Sequence, residues 1–584
     1  MANRAQRSFA LGEVSPKLHA RTDLQRYQEG LRTLRNAVVT KEGGAQSRAG
    51  TEYIGATKSN GAVRLVPCVF STSQNYLLEF GAGYIRFWLA GVQVTVSSVV
   101  AWADATPYTV GAIRSYSGVN YYCIAAHTSV LADNRPSTGT TYLTKWYALT
   151  GSILEVPNPY SAGDLSALSF ADENATTRLV AHPSYPLREL VRAGATTWTF
   201  GVVTYAIADD VDAPTNVQIT GTAGSSAADD TRYRVTTMNG ALESEVSSTV
   251  QWSRWPGPTT SGNYSPITVS WDAVSGATQY RLYRSVQGAK FTLRVVLDDG
   301  QLSFEDRGQT VSTSATTEPP SSDTQVTDLT ASGSYPGVIT AYQQRLVVAA
   351  QTNAPDTVYA SRSTVFRNFF PHSPLQDDDA LSWRQVSGRL NRITHVAEVA
   401  GVLVLWSEIG EGRARGDTDG ILRPGEANPE GLSQNGATAS VAPLIVNDTA
   451  LYVQARGTIV RDLRPQDGVG SDLTATASHL VTGYTIVRAC YQQTPDSVCW
   501  FVRSDGVLLS LTYSRETGVF GWAHHDTDGT VEDVACVPEG TRDAVYWIVN
   551  RTINSGTVRY LERAADRTDV DPWPIAMDAA VVVT

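Results

Sequence analysis

At 584 residues, with 42% apolar and 18% charged side chains, the chain is long enough for several domains or one large closed fold with insertions. Its net charge of −11 excludes a surface built to grip nucleic acid, which would be basic. Five cysteines, Cys68, Cys123, Cys490, Cys499 and Cys536, form no CxxC pair and show no metal spacing, so reduced thiols are expected. The start, MANRAQRSFALGEVSP, lacks the apolar core of a secretory signal. No run approaches the roughly 18 apolar residues that span a bilayer. Synthesis and retention in a cytoplasm are the expectation.

The first patterned stretch is 8–53. Leu24, Tyr27, Leu31, Leu34 and Val38 recur at steps of 3 and 4, which predicts one apolar face of an α-helix. Thr22 and Gln25 have the form of a capping box, Arg21, Arg26, Arg32 and Arg35 fall on the other faces, and Gly43-Gly44 ends the segment with a turn.

The same stretch carries a more specific string. A Gly-Glu-hydrophobic-Ser-Pro element (Gly12 to Pro16) precedes Arg-x-Asp-Leu-x-x-Tyr (Arg21 to Tyr27) and Gly-Leu-Arg-x-x-x-Asn (Gly30 to Asn36). Gly43-Gly44 and Arg-x-Gly-Thr (Arg48 to Thr51) follow. This string resembles the opening of the tail nozzle, or tail tubular, proteins of short-tailed bacteriophages. The resemblance implies a virion structural protein and no enzyme, one that forms a ring, a homohexamer, below the portal and head-to-tail adaptor. Tail fibres would attach at its flank, and DNA would pass through the lumen without sequence-specific binding. It also makes Arg21, Asp23, Tyr27, Arg32, Arg35 and Asn36 the candidate assembly contacts.

After residue 40 helical signal nearly vanishes, and short alternating strands with 47 glycines and 26 prolines predict an all-β body. Seven paired strands share one look, and their cores open at Leu77, Leu179, Leu346, Leu403, Leu451, Val498 and Val545. The last four gaps are 57, 48, 47 and 47 residues. The first two, 102 and 167, shrink to the same range if residues 101–150 and roughly 211–330 are insertions. A period of about 45–50 with four strands per unit is that of a β-propeller blade, so about seven blades are expected.

The first insertion, 101–150, orders Trp102, Tyr108, Tyr121-Tyr122, Pro136 and Trp146-Tyr147 as the small three-stranded modules of chitin-binding domains do, and resembles them. Trp102, Tyr108, Tyr122 and Trp146 form a candidate stacking platform for sugar rings. The bland alternative is that these rings supply the core of a module too small to build one otherwise. The second insertion places Pro214, Trp271, Tyr280, Leu282 and Tyr283 as a fibronectin type III-like sandwich does.

The organisation expected is an N-terminal helical arm (1–60), a first propeller part (61–100), the aromatic module (101–150), a propeller continuation (151–210), the sandwich (211–310), a Ser/Thr-rich linker (311–333), the remaining blades (334–565) and a C-terminal tail (566–584). Phosphate-cradling and dinucleotide motifs are absent, and no pair of carboxylates is singled out by a motif, so no catalytic, cofactor or metal site is expected. His524 and His525 are adjacent on a predicted strand and should point to opposite faces, which disfavours a shared ion. The leading expectation is a conduit subunit in a virion tail. Its rivals are a carbohydrate-binding or receptor-binding tail protein and a glycan-active enzyme.

Overall fold

A computed structural model of the chain describes residues 6–580 except 25, 71–73, 206–211, 222–230, 240–241, 253–265, 287–288, 308–328, 372–374, 386–390, 417–418, 469 and 567–576. The protein is mainly β, and among the described residues helix is confined to isolated single turns.

Seven antiparallel sheets follow one another along the chain. The first holds Val63–Val69, Asn75–Gly81, Tyr84–Leu89 and Glu155–Val156. The second holds Ser169–Asn174, Thr177–His182, Tyr185–Arg192 and Trp198–Val202. In the third are Val338–Tyr342, Arg345–Ala349, Thr357–Ala360 and Leu381–Arg384, and in the fourth Ile393–Val399, Val402–Ser407, Glu411–Arg415 and Asn428–Ser433. Leu444–Val446, Thr449–Val453 and Val460–Leu463 form the fifth; Ile486–Gln492, Val498–Arg503, Leu508–Ser514 and Val519–His525 belong to the sixth. The seventh combines Thr530–Glu539, Arg542–Ile553 and Gly556–Ala564 with Thr51–Ala56 from the head of the chain. All seven sequence anchors, Leu77 through Val545, lie on the second strand of consecutive sheets.

The reason is visible in the cores. Successive residues of a strand face opposite ways, and each second strand feeds two neighbours. Leu78 and Val180 share a core between the first and second sheets, and Leu179 and Leu346 share one between the second and third. Val347 and Leu403 link the third to the fourth, and Val404 and Tyr452 the fourth to the fifth. Leu451 packs with Phe501, and Trp500 with Trp547, carrying the series through the sixth sheet to the seventh. Tyr546 and Ile548 then share a core with Leu77 and Trp88, so the seventh sheet meets the first. A strand covered on both faces must be apolar at every position, which is the continuous run seen in the sequence.

At the junction of the sixth and seventh sheets the free thiols of Cys490 and Cys536 stand 2.8 Å apart.

The helix expected over residues 22–38 does not form. Tyr27–Glu29 is one 3₁₀ turn, and around it lie the short strands Gly12–Glu13, Gly30–Leu31 and Ala37–Val39; Gln25, half of the expected capping box, falls outside the described residues. The 3-and-4 spacing matched a helix by coincidence: tertiary contact buries Leu34 and Val38, while Tyr27 and Leu31 are half-buried and Leu24 is exposed. Leu34 and Val39 enter a core with Val519 and Ala523, while the adjacent Val38 faces the other way into the core of Trp500 and Trp547. Asn36, with φ +52°, interrupts any helical path. Backbone groups pair with the sixth sheet instead: the Phe520 and His524 N–H groups donate to the carbonyls of Ala10 and Leu34. The arm therefore belongs to the body. Its boundary at residue 60 also needs revising, since Thr51–Ala56 is a strand of the seventh sheet and the Thr51 N–H donates to Met577 O from the C-terminal tail.

Both insertions fold as units. The strands Ile113–Tyr116, Val119–Cys123 and Trp146–Ala148 form a three-stranded sheet lodged between the third and fourth strands of the first sheet. Between the second and third sheets, Gln218–Gly221, Ile267–Ser270 and Ser303–Asp306 pack against Thr231–Asn239, Gln279–Val286 and Thr292–Asp298 around Tyr233, Val269, Trp271 and Tyr280. The expected linker lies outside the described residues up to 328.

Candidate functional site

Glu13 organises the arm. It is 4% exposed, and its carboxylate accepts the Leu34 N–H at 2.8 Å and stands 2.8 Å from both His479 Nε2 and His524 Nδ1. Burial alone would raise its pKa, but the hydrogen bonds from His524, His479 and the Leu34 amide outweigh it and hold the carboxyl below its usual range. One residue earlier, Gly12 has φ +63°, and a Cβ there would lie 2.3 Å from Trp522 O, so the Gly-Glu pair is fixed by close approach to the sixth sheet.

The six candidate assembly residues divide into two groups. Arg35 Nε donates to Asp526 Oδ1 at 3.0 Å and its Nη2 also pairs with that carboxylate; Asn36 Nδ2 donates to the same oxygen at 2.6 Å. The Asp526 N–H returns a bond to Asn36 Oδ1 at 3.0 Å. Both residues are engaged within the chain, Asn36 by a reciprocal pair of hydrogen bonds and Arg35 by an exposed ion pair. Arg21 and Asp23 instead form a bidentate pair at 2.7–2.8 Å, 53% and 62% exposed, and Arg32 is exposed as well. Tyr27 is half-buried, and its Oη accepts the Ala20 N–H at 2.9 Å. Arg21 and Asp23 sit beside a groove of about 710 Å³ lined by Leu18, Leu24, Tyr27, Leu473 and Phe520.

Farther along, Arg48 makes a bidentate pair with Asp578, both bonds 2.9 Å, and the Thr51 hydroxyl donates to Glu562. Glu562 is fully buried and also receives both Arg551 Nε and Nη2. Sequence reasoning missed Glu13, Arg48 and Thr51 as structural anchors, although all three stand in the quoted string. Their partners lie hundreds of residues away, so spacing gave no sign of them.

The expected stacking platform is not assembled. Tyr108, Tyr122 and Trp146 are 3%, 2% and 2% exposed, and only Trp102 is half-exposed. Trp146 Nε1 donates to Asn134 O at 2.9 Å, and Tyr122 Oη donates to Trp198 O at 2.8 Å in the second sheet, pinning the module to the body. These rings are buried because a module this small has little else from which to build a core. The Trp and Tyr rings left half-exposed are Trp102, Tyr116, Tyr142 and Tyr147, with Trp102 edge-on to Tyr116 at 6.0 Å and Tyr147 Oη accepting from Lys58 Nζ at 2.9 Å.

His524 and His525 face opposite ways, His524 toward Glu13 and His525 toward Ser510 at 2.7 Å. Among the described residues no group of three or more His, Cys, Asp or Glu is placed to hold a metal, and no helix is long and apolar enough to cross a membrane.

Residues 101–146 match carbohydrate-binding module family 5/12. No curated protein matches the chain. Among solved structures, it is similar to BBS1N in complex with ARL6DN (10% identity, TM-score 0.31, 89% of this chain and 97% of that one). Others are YCF48 bound to a D1 peptide (11%, 0.27, 70% and 93%) and the C-terminal WD40 domain of Sif2 (10%, 0.24, 68% and 94%). Likenesses this distant leave the architecture to be read from the chain's own sheets and cores.

Proposed function

We propose that the chain is a structural subunit of a short bacteriophage tail, the nozzle, and that its seven sheets are the blades of a β-propeller. The N-terminal string carries this reading. Gly12, Glu13, Asn36, Arg48 and Thr51, all within the string, are the residues that fasten the arm across the sixth sheet and into the seventh. Such a string encodes a docked arm on a ring of sheets, which suits a body that must hold its shape under load. Arg21, Asp23 and Arg32 remain on the surface as the contacts for a neighbouring subunit or the head-to-tail adaptor. The resulting homohexamer would sit below the portal and carry tail fibres, its acidic surface letting DNA pass. The role is mechanical and not catalytic, and the two-sheet unit around Trp271 is read as a fibronectin type III-like spacer.

Deleting residues 1–50 would be a poor test, because Val38 and Val39 belong to the body's cores. The informative variant is Arg21→Glu with Arg32→Glu, which leaves the cores intact. It should fold as the wild type does, yet fail to add to adaptor-bearing heads in negative-stain images. Normal addition would refute the surface assignment, and a wild-type chain that never associates with such heads would refute the nozzle.

A second reading is favoured by the match at residues 101–146: the module binds carbohydrate. The half-exposed Trp102, Tyr116 and Tyr142 are the rings left to stack on sugar faces, since Tyr108, Tyr122 and Trp146 are buried. Selective retention of the full chain on a glycan array, lost in Trp102→Ala, would support it; equal silence of both proteins would remove it.

A further inference from the structure

The first strands of the sheets converge on two adjoining cavities of about 370 and 280 Å³. The larger is lined from the first, second, fifth, sixth and seventh sheets, the smaller also from the first strands of the third and fourth, and Arg64, Phe170, Ser440 and Ala442 line both. Together they mark the centre of the ring of sheets.

Charge is not balanced there. Arg64 Nη1 donates to the carbonyls of Leu165 and Leu168 at 2.9 and 2.6 Å, and no carboxylate among the described residues stands within ion-pair distance of its guanidinium. Arg488 Nη1 donates to Val487 O at 2.8 Å and Ser440 O at 3.3 Å, and its Nε stands 3.6 Å from Asp533 Oδ1. Asp533 is 2% exposed and already accepts the N–H groups of Leu65 and Val534 at 2.7 and 2.8 Å. Arg178 is closed against Asp172 by bonds of 2.6 and 2.9 Å, so that pair adds no net charge. His395, whose Nε2 is 2.8 Å from Thr438 O, is held neutral near pH 7, because burial pushes its pKa down to about 4. Two guanidinium groups therefore line a cavity whose one carboxylate outside the pair of Arg178 and Asp172, that of Asp533, stands within ion-pair distance of Arg488 and not of Arg64.

An uncompensated charge inside a protein is costly unless something of opposite sign meets it. The strain registers on Arg64: burial, with the like charge of Arg488 added, pushes its pKa down to about 10. Arg64 and Arg488 are nevertheless both half-buried and touch solvent through the cavity, so the site is reachable. A guanidinium edge presents parallel N–H donors that fit the two oxygens of a phosphate or carboxylate.

We propose that the cavity at the centre of the ring binds a small oxyanion, a phosphate or carboxylate group, between Arg64 and Arg488. The site stands independently of the tail reading. The anion supplies the negative charge that the lining lacks and ties the first sheet to the sixth.

Thermal unfolding and calorimetric titration of the full chain, at ionic strength held constant with chloride, provide the test, with inorganic phosphate and acetate as probes. Saturable stabilisation by either probe above chloride is expected, and the tighter of the two names the group. Stabilisation no greater than chloride's for both would overturn the site. Arg64→Gln should weaken binding about tenfold or more, as expected for losing a charge-assisted pair. Because Arg64 also satisfies two carbonyls and its variant is at risk of misfolding, Asp533→Asn is the second arm. Removing the competing carboxylate should tighten the anion several-fold, and unchanged or weaker binding in a folded Asp533→Asn protein would overturn the assignment.

Discussion

The N-terminal arm and the second strands of the seven sheets are both rich in apolar residues, yet they are built by different rules. A second strand such as Thr449–Val453 is buried at all five positions and finds its partners in the hairpins beside it. The arm finds its partners across the whole chain: Glu13 with His479 and His524, Asn36 with Asp526, Arg48 with Asp578. Where burial comes from near neighbours, the sequence pattern reports the fold. Where it comes from residues hundreds of positions away, the same spacing misleads.

The comparison breaks most sharply at the seam where the head of the chain joins the seventh sheet. Glu562→Ala leaves Arg551 buried without its partner and Thr51 without its acceptor. A loss of about 3–5 kcal/mol is expected, read as a denaturant midpoint shift; a shift no larger than that of a surface variant would show that the seam is dispensable.

Glu13→Gln should cost about 1–3 kcal/mol, because a buried network of two histidines and one amide loses its charged acceptor. Hydrogen exchange of residues 8–40 should then precede that of the sheets, whereas uniform exchange would mean that arm and ring unfold as one.

The same contact gives a pH dependence. The Glu13 carboxyl is held below its ordinary value of 4.5 in the folded chain, so its contribution is present in full above that pH and is lost as pH falls through the lower folded value. Protection of the arm should be flat at neutral pH and decline in the acid range below about 4.5 in the wild type, but not in Glu13→Gln.

The junction of the sixth and seventh sheets can be probed covalently. With oxidised glutathione, Cys490 and Cys536 should join: two thiols and one glutathione disulfide give one protein disulfide and two glutathione thiols. Burial raises the Cys490 thiol well above its usual range, so the exchange should be slow and quicken with pH. A peptide map showing no 490–536 linkage after prolonged exchange would contradict the packing of these sheets.

The smallest expected effect is at the exposed ion pairs. Arg35→Ala and Arg21→Ala should leave the melting temperature within error, since exposed pairs contribute little. A clear drop for Arg35→Ala would mean that its contact with Asp526 matters more to the arm than its exposure suggests.

By itself the sequence determined the β character of the body, seven strand cores and two interruptions, because hairpins and doubly covered strands write period and polarity into adjacent residues. It also marked residues 101–150 as a distinct aromatic module. Only the tertiary structure decided that Val38 and Val39 enter two different cores, that Tyr108, Tyr122 and Trp146 are core rather than platform, and that Arg64 and Arg488 line one cavity with Asp533. Each of those outcomes depends on which distant strand lies opposite, a fact that no local pattern of side chains contains.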